Sequence, residues 1–226
     1  MSTLSEQVIE ALKTDFDEVY ESGFEKGKSQ GGENPLMFAN SISFNQVTFP
    51  DNYDLVCNIP NFTRFVEGAF YQTKGLKSIK LICDNKDVVW GTSNMFYGLN
   101  ESYLETIDFT DFSTKINTFI NFALNQTKLK YVLGSLDCSN VTASNGFLNI
   151  FTNCHLLEEV RFVKETVSKN ISFAQSYKLS DESIQSIIDG LSTVETTQTI
   201  TFYPSVKEKL TDGQKETISA KNWTLG

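Results

Sequence analysis

Five phenylalanines recur along the middle of this chain at intervals of 22 to 29 residues: Phe70, Phe96, Phe122, Phe151 and Phe173. Each is followed within a few residues by a leucine: Leu76, Leu104, Leu129, Leu157 and Leu179. A period of that length is the size of one supersecondary unit. After four of the leucines a short apolar pattern follows, as in Leu76-Lys-Ser-Ile79-Lys-Leu81, Leu104-Glu-Thr-Ile107-Asp-Phe109, Leu129-Lys-Tyr-Val132 and Leu157-Glu-Glu-Val160-Arg-Phe162. Apolar residues alternating with polar ones are the pattern of a half-buried strand. The phenylalanines themselves sit in short apolar patches, several of them opened by asparagine: Asn94-Met95-Phe96, Asn121-Phe122-Ala123 and Asn149-Ile150-Phe151. These patches read as helical or turn-like return segments.

A unit of about 26 residues cannot close a core alone. Stacked units bury their Phe and Leu rows against one another, and their strands pair at about 4.8 Å. The expectation is therefore a solenoid, α/β and rich in β structure, with one short strand per repeat stacked into a single sheet.

The form Phe151-x-x-Cys154-x-Leu156-Leu157-x-x-Val160 resembles a BspA-type leucine-rich repeat. The run from Leu179 to Leu191, the run Lys209 to Lys215 and the ending Lys221-Asn-Trp-Thr-Leu225 are similar to the C-terminal cap of such proteins. Together with an N-terminal stretch containing Val19-Tyr-Glu-Ser-Gly-Phe-Glu-Lys-Gly27, that cap resembles repeat proteins encoded among bacteriophage and prophage structural genes. The resemblance implies a leucine-rich repeat solenoid with an N-terminal helix and a helical C-terminal cap. It also implies a non-enzymatic virion protein. In the alternative, the chain is a bacterial or protist repeat adhesin or interaction scaffold outside any virion, on a bacterial cell surface.

The flanks divide the chain further. Leu4, Val8, Leu12 and Phe16 recur every four residues, so residues 1–22 read as an amphipathic anchor or oligomerisation helix. Residues 23–35, with Gly23, Gly27, Gly31 and Gly32, read as a linker. Residues 36–69 read as an N-terminal β cap, with Tyr53, Leu55, Cys57 and Ile59 alternating before Pro60. Residues 70–179 hold the repeats, and 180–226 the C-terminal cap. There Ser180 can cap a helix opened by Asp181 and Glu182, with Ile184, Ile187, Ile188 and Leu191 on one face. A strand over 199–203, two short helices, and an edge strand carrying Trp223 and Leu225 complete it.

Composition narrows the chemistry. A net charge of −9, with no Lys/Arg cluster, disfavours nucleic acid as a partner. Four cysteines without a Cys-x-x-Cys pair, and a single histidine, give no zinc site of usual spacing. Cys57 and Cys83 lie in apolar alternating runs and read as core thiols. The first residues lack the pattern of a secretory signal, and no run of 18 apolar residues is present, so membrane insertion is not expected. The six Asn-x-Ser/Thr triplets accordingly read as turn chemistry.

No catalytic constellation, metal site or cofactor site stands out. Cys154 and His155 are adjacent and lack an orienting third group. Nothing selects Glu158/Glu159 or Asp108/Asp111 as a glycosidase pair. Trp90, Tyr97, Tyr103 and Phe112 fall in turns, where they either pack or stack on sugars. What remains is surface. The residues flanking each central apolar strand position point away from the core: Ser78/Lys80, Thr106/Asp108, Tyr131/Leu133 and Glu159/Arg161. Lys80, Asp108, Tyr131, Glu159 and Arg161 are the candidate binding residues. The expected partners are other virion proteins through the N-terminal helix, a host cell-surface glycan or protein, and further copies of the chain.

Overall fold

The computed structural model describes residues 36–38, 42–91, 93–98 and 103–226. The expected anchor residues Leu4, Val8, Leu12 and Phe16, and the linker over 23–35, lie outside the described residues.

Among the described residues, nine strands and three helices follow one another. The strands are β1 (Leu36–Met37), β2 (Thr48–Asn58), β3 (Lys74–Ile82), β4 (Thr106–Asp111), β5 (Tyr131–Leu136), β6 (Glu159–Phe162), β7 (Ile171–Phe173), β8 (Gln198–Phe202) and β9 (Trp223–Leu225). The helices are α1 (Asp181–Gly190), α2 (Pro204–Lys209) and α3 (Asp212–Ala220). β1 to β6 form one parallel sheet in chain order, and β7, β8 and β9 form another.

This corrects the expected leucine-rich repeat solenoid. The fold is α/β, with two separate parallel sheets and few helices, and no solenoid is evident. The physical reason lies at β6. The backbone N–H of Val160 donates to Ser183 Oγ at 3.0 Å, and that of Phe162 to Ser186 Oγ at 3.1 Å. Both serines stand on α1, so helix hydroxyls occupy the edge where another strand would pair. β7 pairs instead with β8, through Ile171↔Ile200 and Phe173↔Phe202.

Local sequence accounts for α1. Ser180 Oγ accepts from the Ser183 N–H at 3.1 Å, and Asp181 and Glu182 sit in the first turn, where the helix dipole favours negative charge. Ile184, Ile187 and Ile188 are buried on one face. α3 begins with a capping box, in which Thr211 and Gln214 bond reciprocally.

The recurring phenylalanines meet. Ring centroids lie 5.1 Å apart for Phe70–Phe96, 5.2 Å for Phe96–Phe122, 6.3 Å for Phe122–Phe151 and 5.8 Å for Phe151–Phe173. Phe202 extends the row at 6.0 Å from Phe173, so it passes from one sheet to the other. These separations suit aromatic pairs, each adding about 0.5–1.5 kcal/mol beyond burial. Trp90 and Phe112 belong to this core as well, at 2% exposure each, and the Trp90 indole N–H donates to Ser113 O at 2.8 Å.

The asparagines explain the turns. Asn94, Asn121 and Asn149 all have φ between 52° and 60°, a left-handed conformation that Asn tolerates better than most residues. Asn149 Nδ2 donates to Asn121 Oδ1 at 3.0 Å, and Asn121 Nδ2 to Asn94 Oδ1 at 2.9 Å. A second line joins Asn153 to Asn125 at 2.6 Å. Successive turns are thus tied to each other by side-chain amides as well as by main chain. Gly75, at φ +79°, lies against the β2 main chain, where an added Cβ would come 2.1 Å from Phe49 O. Only glycine fits beneath that irregular stretch of β2.

Candidate functional site

The outward face of the six-stranded sheet assembles the predicted residues. Register aligns Asp54↔Ser78, Ser78↔Thr106, Thr106↔Tyr131 and Tyr131↔Glu159 into one row. A second row runs Val56↔Lys80, Lys80↔Asp108 and Asp108↔Leu133. Arg161 departs from it. It pairs with Ser135 rather than Leu133, because the β5–β6 register shifts between Val132 and Ser135. Gly134, at φ +94°, lies within that shift. Lys80, Asp108, Tyr131 and Glu159 therefore share one wall, and Arg161 stands two residues out of the second row, beside Ser135.

The charges on this wall are committed to each other. Lys80 Nζ lies 2.7 Å from Asp111 Oδ2 and 3.9 Å from Asp108 Oδ2. Lys86 reaches Asp111 at 3.7 Å. Lys130 pairs with Glu105 at 2.9 Å, and Arg161 Nε with Glu159 at 2.9 Å. Tyr131 donates its hydroxyl to Glu158 Oε2 at 3.1 Å, and Ser78 to Asp54 Oδ1 at 2.6 Å. Lys80 holds the Asp111 carboxyl below its ordinary range, first through the hydrogen bond and then through its charge. Asp111 in turn raises the Lys80 ammonium, and the bond to Glu158 raises the Tyr131 phenol. Pairs this exposed contribute little stability, because solvent screens them. Their effect is to neutralise the wall locally and to hold long side chains flat against it. Tyr131, Leu133, Val56 and Ile82 are half-buried among them. Asp111 and Glu158 are the residues here whose part sequence reasoning missed. Asp111 follows the strand motif, and its reach back to Lys80 depends on the irregular β3–β4 register between Lys80 and Ile82.

The groups considered for catalysis are dispersed. Cys154 is fully buried, with Sγ 3.0 Å from Ala123 O, and burial pushes its thiol far up. His155 turns Nδ1 toward Gln175 O at 3.2 Å and stacks on Tyr177, away from that sulfur. Glu158 and Glu159 serve different partners, Tyr131 and Arg161. Asp108 and Asp111 both converge on Lys80. Cys57, Cys83 and Cys138 are buried free thiols. Among the described residues no group of three or more His, Cys, Asp or Glu is placed to hold a metal ion, and no helix is long and apolar enough to cross a membrane. An open cavity of about 460 Å³ lies between the β6 end and α1, lined by Phe162, Lys164, Asp181, Glu182, Gln185 and Asp189.

Of the turn aromatics, Tyr103 is exposed and Tyr97 is half-buried, stacked on Tyr71 at 5.1 Å. A second set went unnoticed in the sequence: the exposed Tyr177 pairs with the half-buried His155 on one side and with the exposed Tyr203 on another. No family model, no curated protein and no solved structure matches the chain.

Proposed function

We propose that this protein is a non-enzymatic structural or adhesion component of a phage particle, recognising its partner over an extended surface. The observation that supports the surface reading is the wall of the six-stranded sheet, where register lines up Ser78, Thr106, Tyr131 and Glu159 beside Lys80 and Asp108. Its charges are satisfied in place, and Tyr131 and Leu133 stand half-exposed between them. That is the composition of a protein-recognition surface: aromatic and aliphatic groups inside a polar surround. A wall already neutralised gives an association only weakly sensitive to salt. The particle assignment rests on the resemblance of the chain's flanks to phage structural proteins. In this reading the segment carrying Leu4, Val8, Leu12 and Phe16 attaches the protein to other virion proteins or to its own copies.

The test has two arms. Purified particles are examined by mass spectrometry for the full chain and for a form lacking residues 1–35. The full chain is expected in the particles, and the shortened form is expected to be soluble, folded and absent from them. Normal incorporation of the shortened form would end the docking role. In the second arm, Tyr131→Ala with Leu133→Asp is expected to weaken adsorption of particles to host cells with incorporation unchanged. Unchanged adsorption would remove the wall as the recognition surface.

A further inference from the structure

Tyr177 and Tyr203 are large rings left on the surface, at 40% and 36% exposure. Their centroids lie 5.5 Å apart, and Tyr177 lies 6.1 Å from the half-buried His155 ring at an interplanar angle of 22°. The three rings make one strip, with His155 and Tyr177 in turns and Tyr203 at the N-cap of α2. The core does not need them there: the inner row at this level is Phe151, Phe173 and Phe202, each at 2% exposure or less. Separations of 5.5 and 6.1 Å are those of aromatic pairs, and 40% and 36% exposure leave part of the Tyr177 and Tyr203 side chains open to solvent. Polar groups border the strip. The Lys178 ammonium lies 5.8 Å from the Tyr177 ring centroid, and His155, with Nδ1 toward Gln175 O, leaves Nε2 as a second hydrogen-bonding atom.

We infer that His155, Tyr177 and Tyr203 form a binding strip for a neutral polysaccharide. Exposed aromatic surface suits the C–H faces of pyranose rings, and hydroxyl, imidazole and ammonium groups beside it suit their hydroxyls. A line of rings without an enclosing cavity takes successive units of a polymer rather than a small molecule. A single-stranded nucleic acid, which also stacks on aromatic rings, needs a positively charged groove. Here Lys178 stands on a chain of net charge −9. The strip lies off the sheet wall. It goes beyond the adhesion reading above by adding a second site with its own ligand class.

Affinity electrophoresis of the full chain through gels containing dextran, mannan or xylan tests it. Retardation by at least one of these polymers is expected. Tyr177→Ala and Tyr203→Ala should each weaken it about tenfold, while Tyr177→Phe, which keeps the ring, should retain it. Tyr103→Ala removes an exposed ring elsewhere and should change nothing. Circular dichroism checks that each variant is folded. Absence of retardation by all three polymers overturns the inference. So does retardation that survives Tyr177→Ala combined with Tyr203→Ala, or capture of a host protein through Tyr177 with no retardation by any polymer.

Discussion

Replacing Ser183 with alanine tests why the large sheet stops at β6. Ser183 is 1% exposed, and its hydroxyl accepts the N–H of Val160, itself fully buried. Alanine removes the acceptor and leaves that amide with no replacement in an apolar setting. A buried donor left unsatisfied costs about 1–3 kcal/mol. The same change improves helix propensity within α1 by about 0.5 kcal/mol. The balance is a loss of about 0.5–2.5 kcal/mol, with burial of the amide dominating. At a denaturant dependence of about 2 kcal/mol per molar urea, this lowers the midpoint by about 0.3–1.2 M. Ser186→Ala is the internal comparison. Ser186 is only half-buried, so water can reach the Phe162 amide, and a smaller shift is expected. Urea unfolding followed by tryptophan fluorescence measures both, and hydrogen exchange at Val160 locates the effect. If Ser183→Ala matches Ser186→Ala and the Val160 amide keeps its protection, helix hydroxyls do not secure the sheet edge.

Other expectations follow from the same geometry. Phe96→Ala empties the centre of the aromatic row and should cost about 3–5 kcal/mol in chemical denaturation. Gly75→Ala places a methyl against Phe49 O at positive φ, and should destabilise more than Gly213→Ala, where no atom lies within 4 Å of the added Cβ. The Asp111 carboxyl, lowered by Lys80, should titrate below ordinary aspartates in carbon-detected NMR, and Lys80→Met should return it to the usual range. The sign follows: the pair's contribution is present above the unfolded carboxyl pKa and is lost as pH falls through the lower folded value. The four buried thiols should ignore an aromatic disulfide reagent in the native state and react together on unfolding, since burial raises the thiols of Cys57, Cys138 and Cys154 and access is closed.

Much of the interior was legible because its determinants are local and periodic. Phe70, Phe96, Phe122, Phe151 and Phe173 share a spacing, and backbone register carries that spacing into ring contacts. Ile79, Ile107, Val132 and Val160 alternate with polar neighbours and lie at 0% exposure. α1 was legible from Ser180, two acids and an isoleucine stripe. The division into two sheets was not, because it depends on two serine hydroxyls meeting amides more than twenty residues away, and serine on a helix carries no such signal. The wall's membership was legible from alternation, but its pairing was not. Asp111 reaches Lys80, and Arg161 leaves the row, through register shifts that strand patterns do not encode. The strip of His155, Tyr177 and Tyr203 escaped because only His155 and Tyr177 share an offset, four residues past Phe151 and Phe173, while Tyr203 directly follows Phe202. A signal was present in the shared wetness of Gln175, Lys178 and Ser205 around them, which marks those turns as surface.

In the six-stranded sheet, order in space repeats order along the chain. Each rung's pairing partners are the rungs made just before and just after it, so nothing late in that region has to await a distant early strand. A growing chain can add each rung to a finished one as it emerges. Under tension from the N-terminal side the same arrangement lets go one rung at a time, with every intermediate keeping the rungs beyond it paired. A sheet of this kind would then yield to pulling by lengthening in small steps, rather than by failing all at once.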